Sequence, residues 1–395
     1  MNKYLLLIIL ALFTGCNSVL NENDYLKKAS KNLSKIKSAS YVSTHYGSIP
    51  GDTTTFSEKR MRNYKIFINP SDTLVGSSSA QFSTDDTTKM KEFYDGNVRG
   101  TVFWEKEYVR VDSFENNPAP FRLVYYPFYT KVNEIIKYTL TTKDSIQTNF
   151  VDYGDSVYFS LIIIDKHTYF HIKPITVTND YIPKKTTSRF DIWFNKSDNM
   201  PYRMRSKWHH TTYFESCSYA RFNTTEDISF TASEYYPDHF EIRQFTRSQG
   251  KPENNMAGEK APDWILKDID NKEVKLSDLN SKVLLIQFTG IGCGPCHQSI
   301  PFLKQLVDDY EGKDFELISI ETWSKNIDVF KRYKQNNGFN FKFLKSTVEV
   351  SKSYQVSSVP IFFILDEDRM IRKVINGYSR KNTDNEIIES IEKIL

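Results

Sequence analysis

The chain has 395 residues and 39% of them are apolar, which is enough for two domains with buried cores. Its 52 basic and 49 acidic residues are spread along the chain and leave a net charge of +3, so no basic block indicates nucleic-acid binding. Four cysteines are too few for a fold held together by disulfides, so the structure must depend on hydrophobic cores.

The first residues, MNKYLLLIILALFTGC, predict an export signal. One cation, Lys3, precedes an apolar run from Leu5 to Phe13. A run of this length is too short to cross a membrane, which takes about 20 residues, but it is typical of the apolar region of a signal peptide. No later apolar run in the sequence is long enough to span a membrane either.

The signal ends in Gly15 and Cys16, which resemble the lipobox of bacterial lipoproteins. Phe13 departs from that pattern, because the family usually has Leu there. The resemblance implies that residues 1–15 are removed and that Cys16 becomes a lipidated N-terminus. Two or more acyl chains give stable anchoring, so the chain would lie in the bacterial cell envelope, facing the periplasm or on the outer membrane. The alternative is an ordinary signal peptide with an accidental cysteine.

The N-terminal domain, predicted over residues 21–246, begins with a helix and continues mainly as strands. Four apolar residues fall at helical spacing, namely Leu26, Ala29, Leu33 and Ile36. RFDIWF (189–194) then alternates apolar and polar residues, as a half-buried strand does. YDGN (94–97) and YGDS (153–156) are typical of hairpin turns. Only KVNEIIKYTL (131–140) predicts a second helix. We therefore expect an α+β domain with a curved antiparallel sheet and a helix packed on it.

The order of one helix followed by many strands loosely resembles the half-barrel of lipoprotein carriers of the LolA type, including the hairpin IWFNKSDNMPYRMR. The resemblance implies a concave face that holds acyl chains, so a lipid is one expected ligand of this domain. The alternative is that the aromatic residues of the strands fill a core. In TTYFESCSYA, Cys217 alternates within a strand and is predicted to be a buried, unreactive thiol.

A polar segment at residues 247–260, with Gly and Pro and no apolar period, predicts a linker. The C-terminal domain, predicted over 261–395, alternates strands and helices. KVLLIQF (282–288) predicts a buried strand and TDNEIIESIEKIL, at the end of the chain, predicts the last helix. The order β-α-β followed by β-β-α predicts an α/β domain.

Cys293 and Cys296 lie just after this buried strand, in a C-x-x-C-H pattern that also fits covalent haem with His297 as the ligand. Haem proteins of that class are usually small helical domains, whereas this pair follows an apolar strand. A zinc site needs four ligands, and His297 is the one histidine of the domain. The upstream pairs His167/His171 and His209/His210 are predicted to be hydrogen-bonded or exposed, so we assign no metal.

The redox interpretation fits the context best. A strand would deliver Cys293 to the start of a helix, where free N–H groups and the helix dipole stabilise a thiolate and lower its pKa below about 8.5. Cys296 would lie one turn further on, shielded by the helix. We therefore predict that Cys293 is the nucleophile and Cys296 the resolving thiol, with Gly294 and Pro295 beside the bound substrate. Pro295 suits the first turn of a helix.

The motif C-G-P-C, together with Val359-Pro360 ahead of the strand PIFFIL, resembles the thioredoxin fold. The resemblance implies that Pro360 is its cis-proline, that the backbone of Val359 pairs with an incoming polypeptide, and that the redox-active disulfide serves without a further cofactor. APDWILKDIDNKEVKLSDL (261–279) and Pro301 resemble the TlpA/ResA branch of membrane-tethered extracytoplasmic thioredoxins.

Three positions depart from this family. Gly292 stands where thioredoxins usually carry Trp, which would leave Cys293 less covered. Gln287 and Ser299 stand where two carboxylates usually accept the proton of the resolving thiol, so water or His297 would have to serve. A peroxidase is disfavoured, because peroxiredoxins need Thr or Ser at the position that Gly290 occupies.

The sequence thus predicts a membrane-anchored extracytoplasmic thiol–disulfide oxidoreductase that reduces disulfides of exported proteins. Its Gly-Pro dipeptide resembles that of reducing thioredoxins, whose potential is about −270 mV, and it would need a membrane electron donor. The alternative is a lipoprotein that binds a lipid or a partner and uses its thioredoxin-like domain mainly for docking. Missing carboxylates at Gln287 and Ser299 favour this alternative somewhat.

Replacement of the predicted lipid attachment site tests the anchor. We expect Cys16→Ser to move the chain from the membrane fraction to the soluble fraction, because no acyl chain can then be attached. The redox chemistry of Cys293 and Cys296 in the released chain should not change. Unchanged membrane attachment of the variant would show that the lipobox was misread.

Overall fold

The computed structural model describes residues 20–49, 52–114, 124–177, 186–208, 211–224, 230–245, 254–324 and 326–395. The predicted lipidation site Cys16, the histidines His209 and His210, and residues 247–253 of the predicted linker lie outside the described residues.

The N-terminal part is built on a large sheet of thirteen strands. Its order is β15-β7-β6-β5-β4-β3-β1-β14-β13-β12-β9-β8, with β2 paired to β1, and β10 pairs with β11 in a separate hairpin. Neighbours are antiparallel, except that β15 runs parallel to β7. The strands are β1 (Ser38–Ile49), β2 (Asp52–Phe56), β3 (Arg60–Ile68), β4 (Ser77–Phe82), β5 (Met90–Tyr94), β6 (Arg99–Phe103), β7 (Tyr108–Asp112), β8 (Ile146–Asp152), β9 (Ser156–Ile163), β10 (Thr168–Phe170), β11 (Pro174–Thr176), β12 (Ser188–Asn195), β13 (Met200–Trp208), β14 (Thr211–Phe222) and β15 (Glu241–Gln244).

Two helices pack against one face of this sheet, α1 (Glu22–Leu33) and α2 (Phe128–Thr141). α1 ends before Ile36, which the sequence had placed on its apolar face, although the Ile36 side chain is still buried. α2 begins at Phe128, three residues before the predicted start, because Pro127 takes the N-cap position and has a φ suited to a helix entry.

Aromatic side chains fill the space between the helices and the sheet. Phe128, Phe159, Phe190 and Phe194 are all 0–1% exposed and belong to one hydrophobic cluster with both helices. This packing agrees with the alternative given above, in which the aromatic side chains of the strands fill a hydrophobic core. The LolA-type resemblance and its lipid remain predictions.

The C-terminal part is an α/β domain with a seven-stranded sheet in the order β17-β16-β20-β19-β18-β21-β22. Its strands are β16 (Ile265–Asp268), β17 (Glu273–Lys275), β18 (Val283–Thr289), β19 (Phe315–Glu321), β20 (Lys342–Lys345), β21 (Ile361–Leu365) and β22 (Ile371–Asn376). Its helices are α3 (Gly294–Asp309), α4 (Ile327–Asn337), α5 (Val348–Ser353) and α6 (Thr383–Glu392). Hydrophobic clusters lie on both faces of this sheet, so β18 and β21 are buried throughout.

The folded domain begins before the boundary predicted at residue 261. Met256 is only 2% exposed, the amide of Asn254 donates to the carbonyl of Tyr354 over 2.8 Å, and Gly258 N–H donates to the carbonyl of Ile371 over 2.7 Å. The polar composition of 254–260 concealed these contacts, because the segment has a single large apolar residue and is held mainly through hydrogen bonds. Residues 254–260 are therefore part of the domain and not of a linker.

Strand direction places several loops at one edge of this sheet. β18, β19 and β20 are parallel, so their carboxyl ends lie side by side. β21 is antiparallel to β18, so it begins at that same edge. The loops that follow residues 289, 321 and 345, and the loop before 361, therefore meet there. This is the edge of an open α/β sheet where ligands usually bind.

A buried charge lies on the opposite side of the N-terminal sheet from the aromatic core. Asp191 is 0% exposed and accepts hydrogen bonds from Arg189 Nε at 2.9 Å, from Arg205 Nε at 2.7 Å and from the hydroxyl of Tyr158. Burial alone would raise the pKa of Asp191, but the bonds from Arg205, Tyr158 and Arg189 outweigh it and hold the pKa below its usual value.

We expect Asp191→Asn to lower the unfolding free energy of the N-terminal domain by about 3 kcal/mol at pH 7, since it leaves two cations without their shared partner. A carboxylate with a lowered pKa stabilises the fold above its unfolded pKa of about 3.9 and loses that effect as pH falls through the folded pKa. The difference between wild type and variant in urea unfolding should therefore shrink as pH falls below about 4 and through the lowered pKa of Asp191.

Asp152→Asn is the matched control, because Asp152 forms an exposed ion pair with Lys196 on the same domain. Its effect at pH 7 should be much smaller. Equal losses for the two variants would mean that the buried cluster does not stabilise the sheet in the way described.

Candidate active site

Cys293 and Cys296 form a disulfide at the sheet edge just described. Their sulfurs are 2.08 Å apart and their Cα atoms 5.2 Å apart. Cys293 is the N-cap of α3, and its Sγ accepts the N–H of Cys296 over 3.2 Å. In the reduced protein the same N–H and the helix dipole would stabilise a thiolate on Cys293. The side chain of Cys296 is 1% exposed and that of Cys293 is 5% exposed.

Local sequence explains why the helix starts where it does. Gly292 has φ +105°, a conformation that residues with a Cβ rarely adopt, so the chain can turn sharply between β18 and α3. Pro295 then lies in the first helical turn, where its missing N–H costs nothing. Pro295 is exposed and Gly294 half-buried, so both lie at the surface beside the disulfide. Pro301 lies inside α3.

The segment before β21 lies against the disulfide although it is 66 residues away in the chain. The Val359-Pro360 peptide bond is cis, and the carbonyl oxygen of Val359 is 3.6 Å from Cys293 Sγ. Pro360 is buried and Val359 is half-buried. Cys293 is therefore well covered, contrary to the expectation from Gly292, because cover comes from this distant segment and not from the preceding residue.

Gln287 and Ser299, which stand where the resemblance to thioredoxins implies carboxylates, are hydrogen-bonded to each other. The amide of Gln287 donates to Ser299 Oγ over 2.8 Å and accepts the hydroxyl of Ser319 over 2.6 Å. Ser299 Oγ donates in turn to the carbonyl oxygen of Cys296 over 2.7 Å. All three side chains are 0–2% exposed, so a neutral network occupies a site where unpaired charge would be costly. It reaches the backbone of Cys296 and not its sulfur.

His297, the other proton acceptor considered from the sequence, is half-buried on α3. Its ring lies 6.3 Å from the ring of Tyr333, measured between centroids. Its backbone N–H donates to the carbonyl of Cys293 over 3.0 Å.

Glu321 is a buried carboxylate at this edge that sequence reasoning missed. It is 1% exposed and accepts three backbone N–H groups, from Ile291 at 2.7 Å, Trp323 at 2.7 Å and Ser324 at 2.6 Å. Burial raises the pKa of Glu321, and the three hydrogen bonds oppose that rise only in part. Its place at the end of the predicted strand FELISIE was the available signal, because carboxyl ends of parallel strands meet at one edge.

The C-terminal part of this chain is similar to proteins that are already known. Residues 257–374 match the AhpC/TSA family. The thiol-disulfide oxidoreductase ResA of Bacillus thuringiensis is 29% identical over 153 residues, which are 37% of this chain and 87% of ResA. ResA of Bacillus subtilis is 27% identical over 126 residues, covering 32% of this chain and 70% of its own. The C-terminal part of this chain is a thioredoxin-like domain homologous to ResA.

A solved thioredoxin domain of a thiol-disulfide oxidoreductase from Bacteroides vulgatus is 19% identical, with a TM-score of 0.31. It covers 35% of this chain and 98% of its own. The AhpC/TSA match begins within the segment at 254–260 that packs on the thioredoxin-like domain, and the N-terminal sheet lies outside it.

The remaining thiol belongs to the N-terminal domain. Cys217 is free and 9% exposed in the N-terminal domain, and burial, followed by the nearby Glu215 carboxylate, raises its pKa well above the usual value. Within the described ranges no cluster of three or more metal-binding side chains occurs. Nor does any helix of those ranges have the length and apolar character needed to cross a membrane.

Alkylation of the reduced protein tests the roles of the two cysteines of the thioredoxin-like domain. Near pH 7 we expect iodoacetamide to modify Cys293 at least tenfold faster than Cys296, because Cys293 has the N-cap position and the greater exposure. Cys217 serves as an internal control and should stay unmodified until the protein is unfolded. Peptide mass spectrometry locates the adducts, and faster labelling of Cys296 would reverse the assignment.

Proposed function

We propose that this chain is a thiol–disulfide oxidoreductase of the cell envelope that reduces disulfides of exported proteins. The observation that carries the proposal is the Cys293–Cys296 disulfide at the start of α3, with Val359 backbone in contact with the Cys293 sulfur. Homology of the domain to proteins named thiol-disulfide oxidoreductase ResA supports the same reaction class.

The proposed reaction is a pair of thiol–disulfide exchanges. The thiolate of reduced Cys293 attacks one sulfur of a client disulfide, which forms a mixed disulfide and releases the client's other sulfur as a thiolate that takes up a proton. Cys296, after losing its proton, attacks the sulfur of Cys293 and releases the second client thiol. Two electrons and two protons pass to the client, and the Cys293–Cys296 disulfide remains.

Continued turnover requires a dithiol donor in the membrane that reduces Cys293–Cys296 again. A lipid anchor on Cys16 would hold the domain close to such a donor. Export also fits an environment in which disulfides form in other proteins and need a reductant.

The proton of Cys296 has no carboxylate acceptor in this scheme. The Gln287–Ser299 network is neutral and ends at the Cys296 carbonyl, so we expect water to take the proton. The resolving step should therefore be slower than the first attack.

Cysteine variants of the full chain test the proposal. With Cys296→Ala, the attacking thiol remains and the resolving thiol is absent, so mixed disulfides with exported proteins should accumulate. With Cys293→Ala, we expect less than a tenth of that amount. Non-reducing electrophoresis followed by mass spectrometry of the complexes measures both.

Equal trapping by the two variants would contradict the assigned roles. If neither variant traps a client while the N-terminal domain still binds a lipid or a partner protein, the binding-protein alternative replaces the enzyme.

A further inference from the structure

An exposed tryptophan packs against the loop that leads to the disulfide. Trp323 follows β19 and is 55% exposed, although an indole is among the side chains that gain most from burial. We propose, on the basis of the exchange with protein disulfides inferred above, that Trp323 is a specificity-determining residue. It contacts the polypeptide that flanks a client's disulfide while Cys293 reacts with it.

The indole is packed directly on the loop that leads to Cys293. A Cβ placed on Gly290 would come within 2.5 Å of Trp323 Cδ2 and 2.6 Å of Cε3, so only glycine allows the ring to lie there. The carbonyl of Gly290 accepts the N–H of Cys293 over 2.9 Å. The same short segment therefore supports the ring on one side and positions the nucleophile through its backbone.

Glu321 keeps the two loops together. One of its carboxylate oxygens accepts the N–H of Trp323 and the other accepts the N–H of Ile291, both at 2.7 Å. Beside it, Thr322 N–H donates to the carbonyl of Thr289 over 2.9 Å. Because the backbone of Trp323 is held in this way, an incoming chain meets a fixed aromatic surface. Binding therefore costs little conformational entropy on the protein side.

The exposed apolar side chains at this edge of the sheet favour a polypeptide over a small disulfide. Ile327 at the start of α4 is 43% exposed, and Val348 at the start of α5 is 79% exposed. With Trp323 they follow the carboxyl ends of β19 and β20, next to β18 and its disulfide. Three neighbouring strands span about 10 Å, the length of roughly three extended residues. A flanking segment with apolar or aromatic side chains fits this row, whereas a small disulfide reaches only the sulfur.

Steady-state kinetics with two oxidised substrates test this assignment on the full chain. Insulin provides a polypeptide disulfide and glutathione disulfide a small one. We expect Trp323→Ala to lower the ratio of kcat/KM for insulin to kcat/KM for glutathione disulfide about tenfold. The loss should come mainly from a higher KM for insulin, because the variant loses an aromatic contact to the polypeptide. Trp323→Phe should restore most of the ratio.

Ile388→Ala is the matched control, since Ile388 is 37% exposed on α6 and the chain just after α6 contacts Lys282 at the start of β18, the sheet edge opposite the disulfide. It should leave the ratio at the wild-type value. We also expect Trp323→Ala to keep the wild-type reduction potential, because no contact to sulfur is removed.

An equal loss with both substrates, or a changed potential, would show that Trp323 only supports the loop and would overturn the assignment. An unchanged ratio would overturn it as well. If the wild-type chain reduces glutathione disulfide but no polypeptide, the proposed function itself is wrong, and the role of Trp323 falls with it.

Discussion

The hydrogen bonds of one buried carboxylate connect the parts of this candidate active site. Glu321 accepts N–H groups from the loop after β18 and from the loop after β19, so the segment that carries Cys293 and the segment that carries Trp323 form one unit. Three backbone donors satisfy a charge that would otherwise be costly to bury. The arrangement depends on the parallel pairing of β18 and β19, which brings their carboxyl ends side by side.

Beneath this unit the interior of the domain holds neutral polar groups. Gln287, Ser299 and Ser319 satisfy one another in the layer under the cysteines, so the interior needs no ion at that depth. The two side chains suit each other, since a glutamine amide needs a nearby acceptor and the Ser299 hydroxyl supplies one. In the proposed reaction, this network would leave the proton of Cys296 to solvent, while the N–H of Cys296 at the start of α3 remains close to the Cys293 sulfur.

The N-terminal domain has a different physical organisation. Its large sheet is covered on one face by two helices and aromatic side chains, whereas on the other face Asp191 is buried between two arginines. Such a buried charge is stabilising only while all its partners are present. The domain therefore combines an apolar core on one face of its sheet with a buried ion cluster on the other, and the thioredoxin-like domain has a separate core with its own hydrophobic clusters.

Sequence by itself was sufficient for the elements that are determined locally. An apolar run, a glycine with positive φ and a proline in the first turn specify a strand, a turn and a helix start, and these place Cys293 at an N-cap. Tertiary structure alone decided the contacts between distant segments: Val359 against the sulfur, Trp323 on Gly290, and the residues before 261 packed on the domain. Such contacts follow from which strands pair and in which direction, and local pattern does not encode that choice because each strand offers the same backbone groups to any neighbour.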